Sequence, residues 1–196
     1  MADNNANATS SVFHIATGLM RNSNKLHEQV VTVIRLEPEN AEALRNLRWE
    51  ALTLHPTAFT ADLDIESRLT LDDWREQIRK NVWFGGIVDG ELVAMVALLI
   101  QASKKVKHTG YVASMYVREN ERGTGLADRL MKALLAHAAE CVEQVMLAVE
   151  AGNMRAIKFY QRHGFHVIGR IPRSILVDGK YFDELQMFLT IPSARS

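Results

Sequence analysis

The order of apolar and polar positions along the chain predicts a series of short strands. The run VVTVIRL, which begins at Val30, is rich in β-branched residues and predicts the first strand. Asp89-Gly90 stands between the apolar runs VWFGGIV and ELVAMVALLIQ, a placement typical of a hairpin turn. Further strands are predicted in GYVASMYV, in QVMLAVEA, and in two runs that turn at Asp178-Gly179 near the end of the chain.

Segments with a helical period separate these strands. PENAEALRNLRWEALTLHP has Pro38 near its start and Pro56 beyond its end, which favours a helix between them. TLDDWREQIRKN and NMRAIKFYQRHGF predict two shorter helices. After GYVASMYV, apolar residues recur every fourth position and mark one face of a longer helix: Leu126, Leu130, Leu134 and Ala138. Strands and helices in this order predict a mixed α/β sheet within one domain.

The first part of the chain differs in composition from the rest. Residues 1–29 are rich in Asn, Ala and Ser and are expected to form an extension of low order, although VFHIATGLM within them could form a short helix. The folded domain is expected over residues 30–196, with no repeat or internal linker.

The net charge and the cysteine content indicate which binding partners and which cellular compartment to expect. The 23 basic residues balance the 23 acidic ones, so neither nucleic acid nor an anionic membrane is expected as a partner. Cys141 is the only cysteine and fits a reducing compartment, so a cytoplasmic location is expected. No apolar run approaches the roughly 18 residues of a membrane span, and the start lacks the order of a signal peptide. The seven His residues show no metal-ligand spacing, so no metal is expected.

A glycine-containing stretch between a predicted strand and a predicted helix suggests an anion site. Gly123 and Gly125 allow tight backbone geometry and close approach of a ligand, and the helix that follows directs unpaired N–H groups at the same loop. A phosphate group fits such a loop. The P-loop pattern is absent, and the third glycine of G-x-G-x-x-G would fall on Asp128. A lone G-x-G also fits a simple turn into a helix.

The wider sequence around this loop resembles the GCN5-related N-acetyltransferases, or GNAT family. Arg122, Gly125 and Ala127 match the three fixed positions of that family's acyl-CoA signature, Q/R-x-x-G-x-G/A. About 30 residues further on, a second family pattern matches at Asn153, Ala156, Tyr160, Arg162 and Gly164-Phe165. The resemblance covers about residues 30–191. It implies a GNAT fold, a mixed central sheet of about six or seven strands in which strands four and five splay apart, flanked by helices.

The resemblance also implies how acetyl-CoA would bind. Its pyrophosphate would lie on main-chain N–H groups of the loop made by Arg122, Gly123, Thr124, Gly125, Leu126 and Ala127, and its pantetheine arm would run along Met115, Tyr116 and Val117. Arg118 or Arg122 could add a charged contact. Asn153 is expected to face the cofactor, and it also stands where a helix N-cap belongs.

Acetyl transfer to an amine needs an acid for the leaving thiolate and a route for the amine proton. Tyr160 is the candidate acid, because a phenol keeps its proton at neutral pH; packing of its ring onto the sheet is the alternative reading. Glu150, at the end of the fifth predicted strand, is the candidate base. Glu50, Asp183 and Glu184 are further candidates that spacing does not rank, and ordered water would need none of them.

The acceptor is expected to be a primary amine of a small molecule, an amino acid for instance. Within the family, acceptor choice is expected to come from the first helices and the last hairpin, here LRWEALTLHPTAF and RSILVDGKYFDEL. Acetylation of protein or peptide N-termini is the second reading within the enzyme class. A module that binds acetyl-CoA without catalysis is the alternative from another class. Homodimers are common in the family that the chain resembles, although the sequence shows no evident interface stripe.

Overall fold

The computed structural model describes residues 30–191. The extension expected over residues 1–29, with the short helix considered within it, lies outside the described residues, as do residues 192–196. The domain boundaries expected from the sequence therefore stay a prediction.

Seven strands form a single sheet in the order β1-β2-β3-β4-β5-β7-β6. All neighbouring strands are antiparallel except β4 and β5, which are parallel. The mixed sheet predicted from the sequence is confirmed. The strands are β1 (Val31–Arg35), β2 (Val82–Val88), β3 (Glu91–Ile100), β4 (Thr109–Val117), β5 (Gln144–Glu150), β6 (His166–Val177) and β7 (Lys180–Thr190).

Helices cover both faces of this sheet, and each face has its own apolar core. One core packs α1 and α3 on the sheet around Leu44, Leu47 and Met95, and the other packs α4 and α5 on the opposite face around Leu130, Leu134 and others. The sequence analysis did not predict α2, because a helix of four residues is too short to show a period. The helices are α1 (Ala41–Leu54), α2 (Leu63–Glu66), α3 (Leu71–Lys80), α4 (Leu126–Cys141) and α5 (Met154–Arg162).

Both hairpin turns lie where the sequence predicts them. Asp89 and Gly90 join β2 to β3 with φ of 49° and 87°, and Asp178 and Gly179 join β6 to β7 with φ of 48° and 75°. Two successive residues with positive φ give the backbone twist that closes a two-residue hairpin, and Asp-Gly is a pair that tolerates it.

β4 and β5 separate along their length. They pair only from Thr109 opposite Gln144 to Tyr111 opposite Met146. Three residues further along β4, Ser114 adopts a φ of 55° and the register with β3 shifts, so β4 carries a bulge just beyond the last pair with β5. The splay expected between strands four and five is thus present. It leaves main-chain groups of β4 beyond Tyr111 without a β5 partner.

Candidate functional site

A cleft opens where β4 and β5 separate, and we refer to it as the splay cleft. Its volume is about 590 Å³, within the usual range for small-molecule sites. The end of β4, the loop before α4, the start of α5 and the segment after α1 form its walls. The cleft therefore lies at the end of the only parallel strand pair in the described sheet.

Eight of the ten residues predicted to bind the cofactor line this cleft. The other two, Thr124 and Leu126, do not. The Thr124 hydroxyl donates to the carbonyl of Glu121 at 2.8 Å, and the Leu126 side chain is fully buried in the core. Any contact of these two with a ligand would have to come from their main chain. The eight lining residues are Met115, Tyr116, Val117, Arg122, Gly123, Gly125, Ala127 and Asn153.

The glycine loop has the backbone geometry that an anion site requires. Gly123 and Gly125 have φ of 85° and 83°, and a Cβ on either would meet no atom within 4 Å, so open space lies beside both. Gly125 is also the N-cap of α4. The first N–H groups of an α-helix lack carbonyl partners within the helix, and the helix dipole is positive at that end. The loop therefore presents donors and partial positive charge to the cleft wall.

The Arg122 side chain forms hydrogen bonds that link its own loop to two other parts of the cleft wall. Its Nε donates to the carbonyl of Val117 at 2.9 Å, and its Nη2 lies 2.9 Å from Nε2 of His55. A guanidinium can only donate, so His55 accepts through Nε2 and is neutral, with its proton on Nδ1. Burial, and then the charge of Arg122, lower the pKa of His55. Arg122 thus joins the end of β4, its own loop and the segment after α1.

Two further arginines line the splay cleft from α5. Arg155 and Arg162 are seven residues apart, two helical turns, and so share a face of that helix. Arg162 also pairs with Asp128 at 3.5 Å, and His163 lies 2.9 Å from the same carboxylate. The sequence analysis did not single out Arg155, although its spacing from Arg162 was the available signal.

Asn153 fulfils the capping role weighed for it. Its Oδ1 accepts from the Ala156 N–H at 3.1 Å, so the side chain caps α5 while lining the cleft. The cap fixes the direction in which α5 enters the site. Contact of Asn153 with a cofactor stays a prediction.

Tyr160 is buried, and its side chain is not part of the cleft lining. It is 8% exposed and its ring packs edge-on against Phe159 and Phe165. Within the described chain its hydroxyl has no hydrogen-bond partner. Burial raises the pKa of Tyr160, so the phenol is protonated at neutral pH. This protonation state suits an acid, whereas the acid role itself stays a prediction.

Glu150 ends β5, as the sequence analysis expected, and its carboxylate takes part in the turn that follows. Its Oε1 accepts from the Gly152 N–H at 2.7 Å. The side chain is half-buried and is not among those lining the splay cleft. The role of Glu150 as a base stays a prediction.

A second cavity adjoins the splay cleft, and we refer to it as the β6 cavity. Its volume is about 620 Å³, and it lies between the segment after α1, α2 and the part of β6 that includes Ser174. Phe59 lines both the splay cleft and the β6 cavity. Phe59 therefore belongs to the walls of both cavities.

Residues 41–165, more than half of the chain, match the profile of the acetyltransferase (GNAT) family. The chain belongs to the GNAT family. The family resemblance inferred from Arg122 to Ala127 and from Asn153 to Phe165 is confirmed, and the matched region contains both of these motifs.

Curated relatives of this GNAT chain include acetyltransferases of small molecules. It is 34% identical over 84 residues to the L-methionine sulfoximine/L-methionine sulfone acetyltransferase of Pseudomonas aeruginosa, over 42% of this chain and 49% of the relative. It is 31% identical over 88 residues to the spermine/spermidine N(1)-acetyltransferase of Bacillus subtilis, over 42% of this chain and 58% of the relative. The chain thus spans about half the length of the curated relatives it matches.

Solved structures confirm the GNAT fold. The acetyltransferase of the GNAT family from Streptococcus pneumoniae superimposes with a TM-score of 0.74 at 20% identity, over 83% of this chain and 99% of that one. The yncA protein of Salmonella typhimurium, solved with its cofactor acetyl-CoA, gives 0.70 at 20% identity, over 85% and 97%. Identities this low show the fold alone.

Within residues 30–191, no helix is both long and apolar enough to cross a membrane. No group of three or more His, Cys, Asp and Glu side chains is placed there to hold a metal ion.

Proposed function

We propose that this GNAT chain transfers the acetyl group of acetyl-CoA to a primary amine of a small molecule. The observation that carries the proposal is the splay cleft, which brings the glycine loop, the unpaired edge of β4 and the start of α5 into one wall. Family membership supports the reaction class. The geometry supports the position of the cosubstrate.

Different groups of acetyl-CoA contact different parts of the splay cleft in this proposal. The pyrophosphate lies on main-chain N–H groups of the loop from Arg122 to Ala127, where the absence of Cβ atoms on Gly123 and Gly125 lets it approach the backbone. Arg155 and Arg162 add positive charge along the same wall. The pantetheine amides pair with the edge of β4 at Met115, Tyr116 and Val117, as an added strand would.

Acetyl-CoA supplies a thioester whose carbonyl carbon the acceptor amine attacks. In this scheme Tyr160 donates the proton that the leaving thiolate needs, since burial keeps its phenol protonated. Tyr160 lies on α5, in the core between that helix and the sheet, so its hydroxyl has to reach the sulfur from beneath the cleft wall. Glu150, the base predicted from the sequence, accepts from the Gly152 N–H and does not line the splay cleft, so this scheme assigns no residue to take the amine proton.

The acceptor is a small amine bound in the β6 cavity, where it would face the thioester across Phe59. The relatives' names, a methionine sulfoximine acetyltransferase and a spermine acetyltransferase, support this substrate class without choosing between an amino acid and a polyamine. The cytoplasmic location expected from the sequence stays a prediction, as does the homodimer that is common in the family.

Release of free thiol from acetyl-CoA over a panel of amines tests the proposal. The panel contains amino acids, polyamines, aminoglycosides and short peptides with free N-termini, and thermal unfolding with acetyl-CoA is recorded alongside. Turnover confined to a class of small amines supports the proposal. Turnover confined to peptides favours N-terminal acetylation, and stabilisation by acetyl-CoA without any turnover favours a binding module.

A further inference from the structure

Glu184 is a buried carboxylate that the scheme above does not use. Its side chain on β7 belongs to a residue only 7% exposed, and Oε2 accepts from the Ser174 hydroxyl at 2.5 Å. Among residues 30–191 it has no Arg, Lys or His within ion-pairing distance. A buried carboxylate without a cation is costly, so its retention calls for an explanation.

An unusual bulge in β6 holds Ser174 in place. Ile171 lies opposite Glu184 and Ile175 opposite Phe182, so the three residues from Pro172 to Ser174 face a single residue of β7. Arg173 within the bulge has a φ of 57°, a conformation that costs roughly 1 kcal/mol for a residue with a Cβ. Bulges and strained residues of this kind are enriched next to active sites.

Asp183 stabilises this bulge from the facing strand. Its Oδ1 accepts from the Arg173 N–H at 2.8 Å, and its Oδ2 accepts from Nε of Arg170 at 2.8 Å. These bonds lower the pKa of Asp183 and keep it ionised. Asp183 therefore supports the bulge, whereas Ser174 at its end lines the β6 cavity and reaches Glu184.

The environments of the other carboxylates set them apart from Glu184. Glu50 is held by Nη2 of Arg118 at 2.9 Å and accepts from the Tyr116 hydroxyl. Glu150 accepts from a main-chain N–H in its own turn. Glu121 is buried as well, but it lies immediately before the glycine loop and accepts from the Asn120 side chain.

We propose that Ser174 and Glu184 form a relay that takes the proton from the acceptor amine in the β6 cavity. This inference rests on the proposed acetyl transfer. An alkyl amine has a pKa near 10, so only about one molecule in a thousand is neutral at pH 7. Ser174 contacts the substrate in this scheme, and Glu184 acts through Ser174.

Each turnover removes two protons from the acceptor nitrogen. The ammonium gives one proton to Ser174 Oγ as the hydroxyl proton of Ser174 passes to Glu184. The freed lone pair of nitrogen forms the C–N bond, the C–S bond breaks, and Tyr160 gives its proton to the thiolate. The nitrogen returns a second proton to Tyr160, and Glu184 releases its own to solvent before the next turnover.

The test uses the full chain and the amine that the wild type acetylates best. Glu184→Gln keeps an acceptor for the Ser174 hydroxyl but removes the base, and Ser174→Ala removes the relay at an exposed position. We expect each to lower kcat at pH 7 by about 100-fold without changing acetyl-CoA affinity. The rate of each variant should rise about tenfold per pH unit towards the pKa of the amine, because neutral amine then comes from solution.

A second amine substrate distinguishes a proton relay from a purely structural role of Ser174 and Glu184. An amine whose pKa lies below the assay pH is already neutral, so both variants should acetylate it at nearly the wild-type rate. Ser103→Ala, at an exposed position between β3 and β4 that lines neither cavity, is the matched control. Thermal unfolding of every variant shows whether the fold is intact.

Three results would overturn the relay. They are an unchanged kcat in both variants, an equal loss with both kinds of amine, and a loss found in Glu150→Gln but in neither relay variant. The last result would assign the proton to Glu150. A wild type that acetylates no amine in the panel would instead overturn the proposed function, and the relay with it.

Discussion

Arg122 donates to the His55 ring at 2.9 Å across 67 residues of sequence. This contact ties the loop of the acyl-CoA signature to the segment that follows α1. Because Arg122 also holds the carbonyl of Val117, one side chain fixes three walls of the splay cleft relative to one another. The Arg122 guanidinium therefore stabilises contacts within the protein and also contributes positive charge to the cleft surface.

The contact makes the stability of the fold depend on pH. The pKa of His55 lies below its ordinary 6.5, first through burial and then through Arg122. As the pH falls through 6.5 the unfolded chain takes up a proton that the folded chain does not, so the folded state loses stability. We expect the free energy of unfolding to fall more in the wild type than in His55→Gln between about pH 7.5 and about pH 5.5.

Urea unfolding of both proteins at these two pH values checks this prediction. The matched control is His108→Gln, at an exposed position in the connection between β3 and β4. An equal loss of stability in the wild type and in His55→Gln would contradict the assignment of a neutral His55.

Gly125→Glu should weaken acetyl-CoA binding by at least about tenfold, because a carboxylate would then lie where the pyrophosphate is proposed to bind. Gly90→Glu is a closely matched control. Gly90 has a φ of 87° against 83° for Gly125, and a Cβ on either meets nothing within 4 Å, so both substitutions impose similar backbone strain. Calorimetric titration with acetyl-CoA distinguishes them. Equal affinities of the two variants would remove the glycine loop as the phosphate site.

Much of the fold could be predicted from the sequence because its signals are local. The Asp-Gly turns, the period of α4 and the β-branched strands each depend on neighbouring residues, and all are confirmed. The contacts that complete the site join distant residues. His55 with Arg122 and the bulge that brings Ser174 to Glu184 follow from how β6 and the segment after α1 pack, which no short pattern records.

Tyr160 illustrates the same limit within a correctly placed helix. Spacing put Asn153 and Tyr160 on one face of α5, yet Asn153 lines the splay cleft while Tyr160 is buried against Phe159 and Phe165. A spacing of two turns determines which face of the helix a side chain lies on, but it does not determine how deeply that side chain is buried against the sheet. The sequence motif could therefore name the residue but not its exposure.

Glu66→Gln should destabilise the fold by about 3 kcal/mol, because it leaves Arg48 charged and buried. Arg48 is 5% exposed, and its Nη2 lies 3.0 Å from the Glu66 carboxylate. Its Nη1 already has no hydrogen-bond partner in the described structure. The exposed pair of Arg45 and Glu42 on the same helix gives the control, since Glu42→Gln should cost less than about 0.5 kcal/mol. Urea unfolding measures both, and equal effects would contradict the account of this buried pair.

Tyr160→Phe should lower kcat by about 100-fold or more and leave acetyl-CoA affinity unchanged. Stability should also be unchanged, because the hydroxyl removed has no hydrogen-bond partner among the described residues. Tyr111→Phe, on β4 and outside the cleft lining, is the control. Steady-state kinetics with the best acceptor and a titration with acetyl-CoA measure the two effects. An unchanged kcat would remove Tyr160 as the acid.

The central claim is transfer of the acetyl group to nitrogen, and thiol release alone does not distinguish this from hydrolysis of the thioester. The most direct measurement is mass spectrometry of the products formed from isotopically labelled acetyl-CoA and the best amine of the panel. The account predicts the label on the amine nitrogen, one acetylated amine for each free CoA, at a rate that Gly125→Glu reduces. Label recovered as free acetate, with the amine unmodified, would contradict it.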